Sequence, residues 1–301
     1  MKRFFFRAFD YLISRVLILL DIIFRKVFNW YQFLPRLHDK IQTKQYYTKK
    51  IDNKKIRFFC PSATTLYRIE TLFTKEPETL SWINNFQEYN SNKITFWDIG
   101  ANIGIYSIYA AIKFENIEII SFEPSTSNTR TLSRNISINN LYDKIKIFPL
   151  ALCDKKNIMS FFNETTFAEG GSMSTFNSNI DEVGNILDRN KIQNKYSIFG
   201  TSIDDFIANS IIDCPTYIKI DVDGIEHLIL KGAQHLLGNI KLRELAIEMN
   251  PNYSEQYKSI NKLMEENGFK KHIHTNSKLL KNIDIKLKSN GPINTVFKRT
   301  T

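Results

Sequence analysis

The residues of this chain best placed for chemistry are acids that close short apolar runs: Asp98, Glu123, Asp221 and Glu248. One acid after a strand is commonplace as a cap or turn residue, but four sharing a rim are harder to dismiss. Around the first, Asp98-Ile-Gly100-Ala-Asn102-Ile-Gly104 spaces two glycines four apart, so that backbone can approach a ligand closely. Glu123 lies 23 residues beyond Gly100, close to the interval of about 20 at which a βαβ carboxylate reaches a ribose. Vicinal hydroxyls offer two donors to its two oxygens. The pyrophosphate fingerprint fails, because Asn102 and Ile105 stand where its second and third glycines belong. The turn therefore suits an aminoacyl end and a nucleoside better than a diphosphate.

A second constellation is Asp221-Val-Asp223-Gly-Ile-Glu226-His227. Asp223, Glu226 and His227 supply the hard ligands of a divalent-cation site. The preferred reading is that the two acids offset the dipole of a helix beginning there, with His227 on the helix surface, and no metal is expected. Between the two constellations runs Phe167-Ala-Glu-Gly170-Gly171-Ser-Met-Ser-Thr-Phe176. Its length fits a substrate lid, with Gly170 and Gly171 as hinges and Met173 and Phe176 covering an acceptor; the alternative is a mobile surface loop.

The elements that must hold these residues alternate. Strands are expected at Ile94–Asp98, Ile117–Glu123, Ile145–Ala151, Tyr217–Asp221, Glu244–Glu248 and Phe269–His274, and helices at 105–112, 125–140, 225–237 and 254–267. A further helix with Trp82 and Phe86 on its apolar face precedes the first of these strands, and a looser region with one strand at 158–162 fills 152–196. The pattern predicts an α/β fold, a doubly wound and mostly parallel seven-stranded sheet. Ligands on such sheets bind beyond the carboxyl ends of the strands.

Charge is concentrated at one end. Residues 1–60 hold 14 Lys and Arg against four acids, which accounts for the whole formal charge of +10. The surplus belongs to a terminal segment, so nucleic acid is not an expected partner. In that segment Arg3, Arg7, Asp10, Ser14, Asp21, Arg25, Asn29 and Gln32 form one narrow polar stripe on a long helix that runs to Pro35. Interrupting charges exclude a bilayer-spanning helix and a cleaved leader. The expectation is a basic amphipathic helix over 1–40, lying in the plane of an anionic membrane or packed on protein, followed by a catalytic domain over 41–301. Cys60, Cys153 and Cys214 fit neither a disulfide framework nor a zinc site, so a reducing compartment is the default. The chain is then cytoplasmic, with the inner face of a membrane as its peripheral station.

Asp98-Ile-Gly-Ala-Asn-Ile-Gly104 resembles the first motif of class I S-adenosylmethionine-dependent methyltransferases, and Phe122-Glu123-Pro124 their second. With Asn135-Ile-Ser-Ile-Asn139 and Ile218-Lys-Ile-Asp221-Val-Asp-Gly-Ile-Glu226 the ordered set resembles the FkbM methyltransferases, over about Arg68–Glu248. Asp223 departs from the glutamate usual there. The resemblance implies a Rossmann-like fold and S-adenosylmethionine as cofactor. It places Gly100, Asn102 and Gly104 at the methionine part, Asp98 orienting that turn or meeting the ammonium through water, Glu123 at the ribose, and Cys153 and Asp154 near adenine. Asp221 becomes the catalytic candidate, orienting an acceptor hydroxyl or taking its proton, with Asp223, Glu226, Gly170 and Gly171 on the acceptor side. The implied reaction is O-methylation of a sugar in a cell-surface glycan or lipid-linked precursor. An amine or small-molecule acceptor, and a cofactor-binding tether without catalysis, are the alternatives.

Overall fold

The structure, a computed structural model, describes residues 2–88, 93–181, 183–209, 212–272 and 291–300. The chain forms two compact units, residues 1–46 and 47–301. The first holds α1 (Lys2–Phe28) and α2 (Phe33–Gln42). The expected single helix to Pro35 is therefore broken. Asn29 turns the chain with φ of 50°, and Pro35 sits in the first turn of α2, where a missing N–H costs no hydrogen bond. Asp21 on α1 is buried, accepting from the Leu34 N–H at 3.4 Å and pairing with Arg25 at 2.6 Å.

The second unit opens on the hairpin β1 (Tyr46–Ile51) and β2 (Lys54–Phe59), then α3 (Ala63–Glu70) and α4 (Pro77–Asn84). Next come β3 (Ile94–Ile99), α5 (Ile105–Lys113), β4 (Ile117–Phe122), α6 (Thr126–Ile138) and β5 (Ile145–Phe148). There follow β6 (Ala151–Leu152), β7 (Ile158–Glu164), β8 (Thr175–Phe176), β9 (Asn194–Thr201), α7 (Ile203–Asn209) and β10 (Tyr217–Ile220). The chain closes with α8 (Glu226–Lys231), α9 (Gln234–Gly238), β11 (Glu244–Met249), α10 (Ser254–Glu266), β12 (Phe269–His272) and β13 (Ile293–Arg299).

Among the described residues the main sheet has seven strands in the order β12-β13-β11-β10-β3-β4-β5. The central pairings β11–β10, β10–β3, β3–β4 and β4–β5 are parallel, and β13 runs antiparallel to both neighbours. This is the doubly wound, mostly parallel sheet that the alternation of strands and helices predicts. β3 and β10 are buried throughout because apolar layers cover both faces. Phe96 and Tyr217 pack with Trp82 and Phe86 on one face, while Trp97, Ile218 and Ile220 pack with Phe122 and Phe206 on the other.

Three differences from the sequence expectation matter. The region over 152–196 is not loose: β6, β9, β7 and β8 form a second, four-stranded sheet in that order. The helix expected over 225–237 is two short ones, α8 and α9, parted at Gly232. A Cβ there would lie 2.3 Å from the Cys153 carbonyl oxygen, so the close approach of that backbone demands glycine. Finally, β12 ends at His272, and the expected last residues of that strand, 273 and 274, lie outside the described residues.

Candidate active site

Both sides of the site are built from backbone at the carboxyl ends of β3, β4, β10 and β11. Leaving β3, Gly100 has φ of +82°, and a Cβ on it would sit 1.9 Å from the Asp221 carbonyl oxygen. The two loops therefore touch through main chain, and only glycine permits it. Asn102 follows at φ of 51°, and its N–H donates to Glu123 Oε2 at 2.7 Å. The other oxygen of Glu123 accepts from the Ser125 N–H at 2.8 Å, beside the start of α6. Burial raises the Glu123 carboxyl to about 7, offset in part by these two backbone donors.

Glu123, Asn102 and Gly100 border a cavity of about 250 Å³, walled on one side by Phe122, Leu150 and Leu152 and bounded at its far end by Asp221, Asp223 and Glu248. The segment Ser172-Met173-Ser174 covers it. Asp223, at φ of 60°, fastens that cover by accepting from the Met173 N–H at 2.7 Å and the Ser174 N–H at 3.3 Å. Asn102 Nδ2 and Asn128 Nδ2 donate to the Gly171 carbonyl at 2.7 and 3.2 Å. Arg68 Nε donates to the Gly170 carbonyl at 2.6 Å. The cover is thus tied to both loops.

Asp221 differs electrostatically from its neighbours. Burial opposes its charge, but the ammonium of Lys219 is hydrogen-bonded to it and, with Lys75 and Arg68, holds its carboxyl below the usual carboxylate range. Lys219 is 1% exposed. It lies 3.9 Å from Glu76, and its ammonium stands 4.8 Å from the centre of the Tyr106 ring. The same burial, joined by repulsion from Asp221, raises Asp223 to about 6 and Glu248 well above its ordinary value. One fixed anion is therefore flanked by two carboxyls that hold protons more readily.

Several expected residues serve differently. Asp98 does not line the cavity: on β3 its side chain turns toward α5, where Oδ2 accepts from the Ser107 N–H at 3.1 Å and hydroxyl at 2.6 Å. Asp98 thus fastens the first turn of α5, and it registers beside Lys219 inside the sheet. Gly104 caps α5 at φ of +84° with its open side against Leu132. Cys153 is buried with Phe162 and Phe176, and Asp154 is exposed. Neither borders the cavity, whose wall at this point is Leu150, Ala151 and Leu152, because β6 swings the chain into the second sheet first.

Glu226 is buried beneath the loop that follows β10. It accepts from the Val222 and Gly224 N–H groups at 3.1 and 3.2 Å and from Gln256 at 2.5 Å. Gly170 is likewise a support: its N–H donates to Asn128 Oδ1 at 2.8 Å, and a Cβ would press on Thr65. His227, expected on the helix surface, is 4% exposed and edges the Tyr253 ring. Among the described residues no cluster of three or more His, Cys, Asp or Glu is placed to hold a metal ion. Sequence reasoning missed Lys219, Arg68, Lys75 and Asn128. The signal for Lys219 was present, a lone charge within the apolar run Tyr217–Ile220.

Known proteins bear on this geometry. The methyltransferase FkbM domain matches residues 98–271. Methyltransferase sdnD of Sordaria araneosa is 36% identical over 55 residues, 18% of this chain and 21% of that protein. The chain thus spans about a fifth of the length of this curated relative. Methyltransferase FkbM from Methylobacillus flagellatus KT superposes with a TM-score of 0.46 at 16% identity, over 89% of this chain and 59% of that one. M. jannaschii TYW2 in complex with AdoMet gives 0.38 at 12%, over 85% and 87%. The domain match starts at Asp98, just before the glycine turn, and runs through both cavity-lining loops, and by it the chain belongs to the FkbM family of methyltransferases.

Proposed function

We propose that this methyltransferase moves a methyl group from S-adenosylmethionine to a hydroxyl of a sugar, in a cell-surface glycan or a lipid-linked precursor. The observation that carries the reading is the main-chain contact of Gly100 with Asp221, which sets a donor-side turn directly against a fixed carboxylate. The residues present suit the cofactor. Each Glu123 oxygen accepts one backbone N–H and keeps a lone pair for a ribose hydroxyl. Phe122, Leu150 and Leu152 offer an apolar wall to a purine. When bound, the cofactor supplies a methyl group on a sulfonium centre.

The chain's own residues then have distinct tasks. Methyl transfer needs an acceptor oxygen held in line at about 3–3.5 Å, so orientation dominates. Asp221, kept anionic by Lys219, accepts the hydrogen of the acceptor hydroxyl and aims its lone pair. Its depressed pKa makes it a weak base. Asp223 beside it, raised to about 6, is the better proton acceptor near neutral pH, and Glu248, raised further, is placed to donate a hydrogen bond instead. Closing of the cover over 172–174 on the bound substrates would shield the transfer from water. Three carboxyls facing one space can meet several hydroxyls at once, which suits a polyhydroxyl acceptor.

The test is incubation with methyl-labelled S-adenosylmethionine and fractionated extracts of the source cells, comparing wild type with Asp221→Asn. Label in a glycan or glycolipid fraction, lost in the variant while cofactor binding persists, is the expected result. Label in an amine-bearing or small-molecule fraction would move the acceptor class. Cofactor binding with no label anywhere would favour a binding protein without catalysis.

A further inference from the structure

We infer that one face of α1 lies in the plane of an anionic lipid surface, a property independent of the methyl-transfer chemistry. The helix has 27 residues, about 40 Å at 1.5 Å per residue. α2 attends one side of it: Asp21 accepts from the Leu34 N–H, and the Phe24 and Phe33 rings meet at 5.0 Å. Turned away from that side are Leu12, Val16, Leu19, Leu20, Ile23 and Val27, which fall within an arc of about 100° at helical spacing. They are between 37% and 67% exposed. Single exposed leucines need no explanation, but a continuous stripe along the length of a helix does.

The charges select the occupant. Arg15 and Lys26 stand at one edge of the stripe. Long cationic side chains reach from an apolar boundary to headgroups, and each contributes attraction to an anionic leaflet. A second copy of the same helix would instead set like charges against each other. Crossing the bilayer is not the alternative, since no helix among the described residues is long and apolar enough. Asp21 lies away from this face, beside α2 and paired with Arg25 at 2.6 Å.

The full chain should be sedimented with vesicles of phosphatidylcholine alone and of phosphatidylcholine with phosphatidylglycerol in equal parts. Wild type is expected in the pellet with the mixed vesicles and mostly in the supernatant with the neutral ones. The double variant Leu19→Glu and Ile23→Glu changes exposed positions only, and should weaken partition on the order of a hundredfold. Arg15→Gln and Lys26→Gln should each weaken it about fivefold on mixed vesicles alone. Circular dichroism and melting of each variant confirm that the fold is retained. Wild type that ignores both vesicles, or binding unmoved by the glutamates, overturns the inference. So does a dimer in light scattering that the glutamates dissociate without any vesicle binding, which would give the face to a second copy.

Discussion

Replacing Lys219 by Met tests the electrostatic core of the site. Methionine matches the length of the lysine stem, so packing beside Tyr106 is largely kept and the loss is of charge. Removing one partner of a buried ion pair costs about 3–5 kcal/mol. The Asp221 side chain keeps 23% exposure and can rehydrate, which puts the expectation at the lower end, about 3 kcal/mol. In a unit of this size that lowers the melting temperature by about 6–12 °C. The sign with pH follows from the depressed pKa of Asp221. The pairing stabilises the fold above the usual carboxylate range and is lost as pH falls through the folded value. The melting deficit of the variant should therefore persist at neutral pH and shrink below about pH 4. Activity should report the same charge. Losing an opposite charge at this range raises a carboxyl by about 1–3 pH units, so the acid limb of the rate profile of label transfer should rise by that much. Lys219→Arg keeps the cation and should restore the limb even if it costs packing. A Lys219→Met protein with unchanged melting and an unmoved acid limb would refute the assignment of Lys219 as the residue that positions and ionises Asp221.

Other expectations follow from the same contacts. With Glu123 raised to about 7, S-adenosylmethionine binding by calorimetry should be about tenfold weaker at pH 6 than at pH 8, and Glu123→Gln should flatten that dependence. Gly100→Ala puts a Cβ 1.9 Å from the Asp221 carbonyl at a φ of +82°. It should lose several kcal/mol in a denaturant melt, about 3 or more, and fail to bind cofactor. Asp223→Ala frees the Met173 and Ser174 N–H groups, so chymotrypsin should cut faster at the exposed Phe167. Cofactor and acceptor together should slow that cut in wild type; indifference to both would argue against a lid.

The sheet was legible because its signals are local. Apolar runs ending in acids gave β3, β4, β10 and β11, and helical spacing between them gave α5, α6 and α10. The second sheet was not, although Tyr196 and Ile198 alternate with Lys195 and Ser197 on β9. Its pairing joins β9 to β7 across a long excursion, and β6 contributes only two residues, too few to leave a period. That omission misplaced Cys153: without β6 it reads as a rim residue, whereas it is buried with Phe162 and Phe176. Glu123 was found because its interval from Gly100 is set by one helix. Lys219 and Arg68 were missed because their meaning is relational. A buried lysine acquires a role only when the adjacent loop brings Asp221 to it and β3 sets Asp98 alongside. His227 shows the converse, a residue assigned to a surface by helical position and then covered by Tyr253 from a distant turn.

The meeting of Gly100 with the Asp221 carbonyl has a consequence for how this site can vary. The spacing between the two loops is set by two peptide groups in contact, with no side chain interposed to act as a shim. Substitutions elsewhere on either loop can retune what is bound without resetting that gap. The same contact denies the loops independent movement: a shift of one by even part of an ångström must push the other. Hydrogen exchange at Gly100 and Asp221 should therefore slow together when either half of the site is filled, because the two loops can open only as one.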